Sequence, residues 1–323
     1  MMHRLSILVV CLFGCCALFA QSTCKVDTTD VYRPKIAEFG VEMLRDYHTA
    51  TYSEDVNHAE NEVDADRLFK AKLAIPFALN DRYAAGAQLK YYQHRFFFDE
   101  EDYLDDNGLY THLNNATFTA MGARLFYQRN LPQDSKLKLI GGAEVRSDEF
   151  RWTQNTTKYF ISGIYTRQVS DRTKIGTGFM LNQVMRVTSF YPLFIYERSL
   201  NSKWYLELNL PKSASLRRKL NSSNYLVGTT QFRGWRYNLS NSIEGLPSDL
   251  TLRKADLEAS LAWEHELHDW LWLQASIGYT KNLRYYLVEP GGRNRDALLR
   301  IRARDASYAK LSIFIVPPRS LYK

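Results

Sequence analysis

Residues 256–266 read DLEASLAWEHE, and their side chains alternate in character from one position to the next. The odd positions are apolar: Leu257, Ala259, Leu261 and Trp263. The even positions are charged or small. A β-strand directs successive side chains to opposite faces, so this segment predicts a strand with one apolar face and one polar face. The next segment, residues 271–284 (LWLQASIGYTKNLR), continues the same alternation after a short link.

Alternation of this kind recurs through the chain. Residues 37–43, 69–75 and 137–146 repeat it, with Glu, Lys or Gly opposite aliphatic and aromatic side chains. Residues 157–169, 191–199 and 213–220 alternate less regularly. The pattern predicts an all-β protein built as an antiparallel meander, since each polar face needs water and each apolar face needs a dry neighbour.

Strand length separates two architectures that share this pattern. A soluble exported β-sandwich is one alternative, but its strands cluster near five or six residues. Here the alternating stretches 82–97, 114–129, 224–238 and 269–286 are each about fifteen residues or longer, whereas a tilted strand needs roughly nine to eleven residues to cross hydrocarbon. The lengths therefore favour a transmembrane β-barrel.

The connections differ systematically in length. Links 48–60, 98–112, 148–155, 239–251 and 288–306 are long, while LNDR, LPQDS, VSDR, LNSK, LNSS and LHD are tight. Short turns at one end and long loops at the other are typical of outer-membrane barrels. Counting the links predicts an up-and-down transmembrane barrel of about fourteen strands, closed because lipid cannot satisfy an open sheet edge. Twelve strands remain possible, because the LPKSAS hairpin is short on the loop side.

The first twenty residues predict a cleaved signal peptide. His3 and Arg4 precede an apolar run that ends in ALFAQS, too short for a convincing membrane helix. A cut after Ala20 leaves one barrel domain, residues 21–323. A lipoprotein acylated at Cys15 is the alternative interpretation. Cys11, Cys15 and Cys16 lie within the predicted signal peptide, so the mature chain would keep only Cys24. A single cysteine cannot form an intramolecular disulfide.

The tail segments SLNSKWYLELNLPKSASLRRKLNSSNYLVG, RKADLEASLAWEHELHDWLWLQASIGY and YAKLSIFIVPPRSL resemble a group of outer-membrane β-barrel proteins from Bacteroidetes-type bacteria, known only as a domain of unknown function. The resemblance is sharpest over residues 199–321 and lies in turns and strand starts. It implies the barrel fold and insertion by the barrel assembly machinery, and it implies no activity. The chain departs from many barrels in ending on Lys323 rather than on an aromatic residue.

Composition narrows the function classes. The mature chain would carry 41 Lys and Arg against 35 Asp and Glu, a modest excess without a basic motif for nucleic acid. Aromatic residues make up 14% of the chain, while the mean hydropathy is only −0.37. A barrel with an apolar outside and a wet inside has such a composition. No spacing of His or Cys matches a metal site, so we expect no cofactor, no metal and no catalytic residue.

The polar parity of the predicted strands gives candidate lumen-facing residues. They are Glu38, Glu42, Lys70, Lys72, Lys90, Arg124, Glu144, Asp256 and Glu258. Lys70 and Lys72 lie one strand from Glu38 and Glu42, so pairing between these strands is expected. Charges of opposite sign on different arcs of the wall are compatible with an open pore and with a closed one.

The predicted loops carry separate charges. Residues 99–106 and 54–66 are acidic, and the last long link is basic, with Arg293, Arg295, Arg300, Arg302 and Arg304. A short amphipathic helix is plausible in that basic link. It could bind anionic headgroups of outer-membrane lipids, because guanidinium binds phosphate in a bidentate manner. It could instead fold inward against the acidic loops and narrow the lumen.

Taken together, the sequence predicts an integral protein of the bacterial outer membrane that is not an enzyme. We expect a passive channel or narrow transporter for small polar solutes, porin-like in the general sense. Two alternatives remain open: a barrel with a filled lumen that serves as a surface interaction or structural protein, and an outer-membrane lipid-modifying enzyme.

Overall fold

The computed structural model describes residues 33–53, 56–98, 104–105, 108–240 and 245–322, so the predicted signal peptide at residues 1–20 lies outside the described residues. Fourteen long or medium strands form the wall: β1 (Ala37–Ser53), β2 (Val56–Leu79), β3 (Tyr83–Phe98), β5 (Phe118–Leu131), β6 (Ser135–Ser147), β7 (Thr157–Ser170), β8 (Thr173–Val184), β9 (Val187–Ser199), β10 (Trp204–Leu210), β11 (Ser213–Lys219), β12 (Asn224–Leu239), β13 (Leu250–His268), β14 (Leu271–Val288) and β16 (Ala306–Ile315). The smaller elements are β4 (Leu104–Asp105), helix α1 (Leu109–Asn115), β15 (Leu299–Ala303) and two 3₁₀ turns (Asn294–Asp296 and Arg319–Tyr322).

These strands close into a barrel. Each wall strand pairs antiparallel with its neighbours in chain order, and β1 pairs with both β2 and β16. The prediction of a closed, fourteen-strand, up-and-down barrel is confirmed. The three stretches that alternate less regularly are strands as well, because each forms hydrogen-bonded ladders with both neighbouring strands over most of its length.

Short turns gather at one end of the barrel, here called the turn end. The carboxamide oxygen of Asn80 accepts hydrogen bonds from the backbone N–H groups of Arg82 and Tyr83, at 3.0 and 2.8 Å. Asn201 accepts from the two N–H groups at the same spacing, at 2.9 and 3.0 Å. An Asn whose side chain accepts from the backbone two and three residues later stabilises a tight turn. The repeated Leu-Asn pairs at strand ends therefore favour these turns through local contacts.

The opposite end is called the loop end, and two predictions about it need correction. The predicted long link 48–60 is wrong, since β1 continues to Ser53 and β2 begins at Val56. The predicted amphipathic helix in the basic link is also wrong. That link forms a single 3₁₀ turn and then β15, which pairs with the upper part of β1. Backbone pairing to the exposed edge of β1 satisfies more N–H and C=O groups than a short helix would.

The outer wall is apolar. On the lipid-facing parity, Leu125, Ile277 and Leu311 are 61%, 68% and 56% exposed. Exposed apolar side chains of this size on strand after strand are far more than the scattered few of a soluble surface. The barrel therefore spans hydrocarbon, with its polar parity turned inward. In the described part of the chain, no helix has the length and apolar character needed to cross a membrane.

At the loop end, β12 turns into the barrel. Asn238 forms a parallel pair with Ser147 of β6, six strands away around the wall. The backbone carbonyl of Asn238 accepts hydrogen bonds from the Asp148 N–H at 3.2 Å and the Ser147 hydroxyl at 3.1 Å. The end of β12 therefore divides the loop end of the lumen into two parts.

One of these parts is filled by a hydrophobic core. Helix α1 closes it from above, with Leu109, Tyr110 and Leu113 buried. Gly108 precedes the helix with φ of 72°, a left-handed conformation that glycine adopts without strain. The Tyr110 hydroxyl lies 2.8 Å from that of Thr51 on β1. Inward side chains of β1–β3, β5 and β12–β16 complete this packed half.

The wall has a notch on the other side. The β10–β11 hairpin is only seven residues per strand, so pairing with β9 ends at Phe194 and pairing with β12 ends at Gln231. Above the hairpin, β9 and β12 have no strand between them in the described residues. Pro192 lies within β9 along this edge. A proline suits such an edge because it has no N–H to leave unpaired.

Candidate functional site in the barrel lumen

The inward parity carries a network of charged side chains, and Glu42 lies at its centre. The Lys70 ammonium on β2 donates to Glu42 at 2.6 Å. Arg233 of β12 donates to the other oxygen of Glu42 and also to Glu258 of β13. Gln231 donates to the second oxygen of Glu258 at 2.7 Å. Since β1 and β12 lie four strands apart, this guanidinium crosses part of the lumen and ties two arcs of the wall together.

A second group of ion pairs surrounds Glu38 nearer the turn end. Lys72 donates to one carboxylate oxygen at 2.8 Å, while Lys310 and Lys35 lie 3.6 and 3.9 Å from the other. The predicted pairing of Lys70 and Lys72 with Glu42 and Glu38 is therefore present in the structure. It arises because the antiparallel register places Lys72 opposite Glu38 on the same face.

Glu144 and Asp256 occupy different parts of the lumen. Glu144 on β6 accepts from Lys90 of β3 at 2.7 Å and also from Arg146 of its own strand. Asp256 on β13 accepts from the Asn282 amide at 2.8 Å. Buried carboxylates need such partners, because an unpaired buried charge is costly.

Asp66 is a buried charged residue of the packed half that is not among the lumen-facing candidates from the sequence. Asp66 accepts from the Tyr47 hydroxyl and the Lys254 ammonium, at 3.3 and 3.4 Å, and contacts the His94 ring nitrogen Nε2. The sequence predicts an acidic loop over residues 54–66, and this prediction is wrong for Asp66, because the residue lies on β2. The signal that could have placed it is its spacing, two residues before Leu68 and four before Lys70 on the inward parity.

Aromatic residues of the inturned strand pack against the opposite wall. The Trp235 ring lies 5.3 Å from His94 and 6.3 Å from Tyr92, both on β3, measured between centroids. Tyr237 lies 5.1 Å from Phe118 of β5. Contacts at these distances are favourable ring geometries, so the packed half is closed by side chains and not only by ion pairs.

The remaining part of the lumen is different, because four of its cations have no carboxylate within ion-pair distance among the described residues. Arg124 on β5, Lys138 on β6, Lys158 on β7 and Lys212 in the β10–β11 turn form no ion pair with any described residue. These four residues are called the cationic cluster below. Arg124 points inward, opposite Gln88 and Gly142, and is nevertheless exposed. Water therefore reaches the inside of the wall at this arc.

Glycines on neighbouring strands make room for these side chains. A Cβ on Gly142 would lie 2.6 Å from the Ala123 carbonyl oxygen and 2.7 Å from the Arg124 Cβ. On β5, a Cβ on Gly122 would lie 2.5 Å from the Ala143 carbonyl oxygen and 2.8 Å from the Glu144 Cβ. Side chains at either position would crowd the backbone of the next strand, so glycine permits the close approach of β5 and β6.

The basic residues predicted in the last long link lie outside the lumen. Arg293, Arg295, Arg300, Arg302 and Arg304 are all exposed. Within β15, Leu299 and Ile301 are buried in the packed half and the arginines between them face outward. Arg302 stacks on the Tyr52 ring at 4.5 Å. The inward folding considered for this link is not observed, because the alternation of β15 turns its apolar side chains inward instead.

His112, Asp148 and Ser240 lie close together at the loop end. His112 and Asp148 are 3.2 Å apart, and the Ser240 hydroxyl donates to Asp148 at 2.8 Å. Here the serine bonds the carboxylate and not the imidazole, so the imidazole does not activate the hydroxyl as a nucleophile. No group of three or more His, Cys, Asp or Glu within the described ranges is arranged to hold a metal ion. Beside a turn, the His265 Nδ1 donates to the side-chain oxygen of Asn224 at 2.9 Å.

A closed barrel with an apolar outer wall and a charged, partly wet inner wall defines a transmembrane β-barrel protein. The chain belongs to the family described as Domain of unknown function (DUF6268), whose model matches residues 104–291. No curated protein matches it.

Several solved structures follow a similar chain path at low sequence identity. An outer membrane channel from Pseudomonas putida F1 is 10% identical with a TM-score of 0.40, covering 90% of this chain and 100% of that chain. A FadL homologue from Pseudomonas aeruginosa is 10% identical with a TM-score of 0.37, covering 87% and 90%. An active-site mutant of outer membrane phospholipase A from Escherichia coli is 10% identical with a TM-score of 0.35, covering 93% and 96%.

Proposed function

We propose that this protein is a channel in the outer membrane of a Gram-negative bacterium, through which small polar solutes diffuse along the arc of the lumen that carries the cationic cluster. The observation that supports it most directly is the exposure of Arg124, a charged side chain that points into the barrel. Charged groups inside a membrane barrel need water or partners, and Arg124 has no ion-pair partner among the described residues.

The route is narrow on this proposal. The packed half is filled by α1 and the aromatic residues of β12, and Arg233 bridges two arcs of the wall. The inward side chains of β5–β11 are left to line a path. Glycines such as Gly142 place no side chain on this part of the inner wall. A barrel of fourteen strands has space for such a path beside a packed half.

Single-channel recording in planar bilayers tests this proposal. The purified barrel should give discrete conductance steps, after heat-modifiable migration on a gel has shown that it is folded. Arg124→Trp should lower the unit conductance, because a bulky ring then occupies the wet arc. Leu125→Trp is the matched control: the neighbouring residue on the same strand faces lipid, so its conductance should equal that of the wild type.

A second candidate function is a barrel with a filled lumen that serves as a surface interaction protein. The observation that favours it is the cross-barrel pairing of Asn238 with Ser147, together with the packed half. Folded protein that inserts into the bilayer without any conductance step, in the wild type and in Leu125→Trp alike, would support this second candidate and contradict the first.

A further inference from the structure

We propose that the cationic cluster, Arg124, Lys138, Lys158 and Lys212, is a binding site for small multivalent anions that carry phosphate or carboxylate groups. This deepens the proposed function, on which it rests, because it names the class of solute. The argument begins with charge balance in this part of the lumen.

The inward carboxylates near the cluster already have partners. Glu144 is bound by Lys90 and Arg146, and Glu197 is bound by Lys174 at 2.6 Å. Glu264 is bound by Arg217, and Glu207 accepts from the Asn209 amide at 2.6 Å. Glu207 keeps its negative charge near Lys212, because its amide partner is neutral, and Glu144 lies opposite Lys158 on the next strand. Since Glu144 is already bound by two cations, the positive charge of the cluster exceeds the nearby negative charge.

Three of the four cations lie along one stretch of the inner wall, although they come from different strands. Arg124 is opposite Gly142 of β6, Lys158 is opposite Glu144 two residues further along β6, and Lys138 precedes Gly142 by four residues on the same face. Lys212 lies at the top of the short hairpin and acts electrostatically on Lys158 of β7. The charges of Lys72 and Arg124 in turn act on Lys212, and that of Arg124 acts on Lys138. Like charges brought together in excess of their counter-charge raise the free energy of the folded state, so a bound anion would stabilise this arrangement.

A separate observation points to the same place. Arg236 on β12 lies within electrostatic range of Lys158, and its Nη1 atom is buried without a hydrogen-bond partner in the described part of the chain. Buried guanidinium N–H groups are nearly always satisfied, so an unsatisfied one beside a cationic cluster is a donor available to a ligand.

The chemistry of these donors sets the ligand class. Guanidinium and ammonium groups form charge-assisted hydrogen bonds to phosphate and carboxylate oxygens. Four cations favour an anion with two or more charges over chloride, because each additional charge gains from the same field. Small phosphate esters and di- or tricarboxylates have this charge in a size that a narrow lumen admits.

The test uses the full-length barrel in planar bilayers with a KCl gradient, and inorganic phosphate and citrate as probes. The reversal potential should show preference for anions, and phosphate or citrate added to the bath should reduce the chloride current in a saturable manner. In Lys158→Gln/Lys212→Gln, the concentration for half-block should rise about tenfold or more, while Lys212→Arg should retain block.

Lys203→Gln is the matched control, since Lys203 is also an exposed lysine in a turn next to β10 but lies at the turn end. Unchanged block in the double variant, or selectivity for cations, would overturn the anion site while the channel proposal stands. Calorimetric titration of the detergent-solubilised barrel separates the two proposals. Phosphate binding that disappears in the double variant, in a barrel without conductance, would support the anion site and contradict the channel.

Discussion

Asn238 at the end of β12 pairs with Ser147 at the end of β6, on the opposite side of the wall. The Asn238 amide also donates to Asp249 at 2.9 Å and to the Leu250 carbonyl at 3.2 Å. The end of β12 is thereby held between Ser147 on one side and Asp249 and Leu250 on the other. This single pairing separates the packed half of the loop end from the part that carries the cationic cluster.

Asn238→Ala should loosen the end of β12, because the Asn238 amide holds Asp249, which also accepts from Asn155 of the β6–β7 loop at 2.6 Å. It removes two hydrogen bonds from a buried side chain, so we expect the free energy of unfolding to fall by about 1–3 kcal/mol. Unit conductance should rise, because the inturned strand narrows the loop end. Urea unfolding in detergent and single-channel recording measure the two effects. Asn221→Ala, in an exposed turn at the other end, serves as control and should leave conductance unchanged.

Arg233→Met should destabilise the barrel more strongly. It leaves Glu42 and Glu258 without their shared partner, and removal of one member of a buried ion pair costs about 3–5 kcal/mol. Adding Glu258→Gln should recover part of the loss, because one uncompensated charge is then removed. The midpoints of urea unfolding for the single and double variants check this. A double variant no more stable than Arg233→Met would show that the uncompensated charge of Glu258 does not cause the loss of stability.

Asp148 at the loop end predicts a dependence of stability on pH. Burial alone would raise its pKa, but hydrogen bonds from His112, Ser240 and Ser147 outweigh this and hold the pKa at about 2. The charged form therefore stabilises the fold above the ordinary pKa of about 3.9, and this stabilisation is lost as the pH falls towards 2.

Asp148→Asn should accordingly be less stable than the wild type from neutral pH down to about pH 5, and the two should converge between pH 4 and 2. Thermal unfolding followed by circular dichroism across this range measures the difference. Glu149→Gln is the control, since Glu149 is its exposed neighbour in the same loop. A difference in stability between the two proteins that stays constant down to pH 2 would show that the charge of Asp148 does not stabilise the fold.

Ile277→Arg should destabilise the protein by about 2–4 kcal/mol if residue 277 lies near the middle of the bilayer, the cost of a cation on the lipid face of a barrel. Ile277 is 68% exposed on the outward parity of β14. Ile277→Ala removes apolar surface without adding charge and should cost much less. Folding yield and urea unfolding in phospholipid vesicles check both. Equal stability of the two variants would contradict contact with hydrocarbon at this position.

Much of the wall could be predicted from the sequence. The parity of Leu257 and Glu258 is a local property, because neighbouring side chains of a strand must point to opposite faces. Asn80 and Asn201 bond their own backbone, so the turns that set the register are local as well. The pairs between Lys70 and Glu42, and between Lys72 and Glu38, followed from parity and from the adjacency of two consecutive strands.

The tertiary structure alone decided what faces what across the lumen. Alternation turns Arg233 inward but does not say that it meets Glu42 four strands away, and nothing near Asn238 in the chain indicates Ser147 of β6. The height of the β10–β11 hairpin and the convergence on Lys212 likewise depend on how the whole wall closes. The physical reason is range: strand parity and turns arise from neighbours in sequence, whereas contacts across a lumen arise only once closure brings distant strands together.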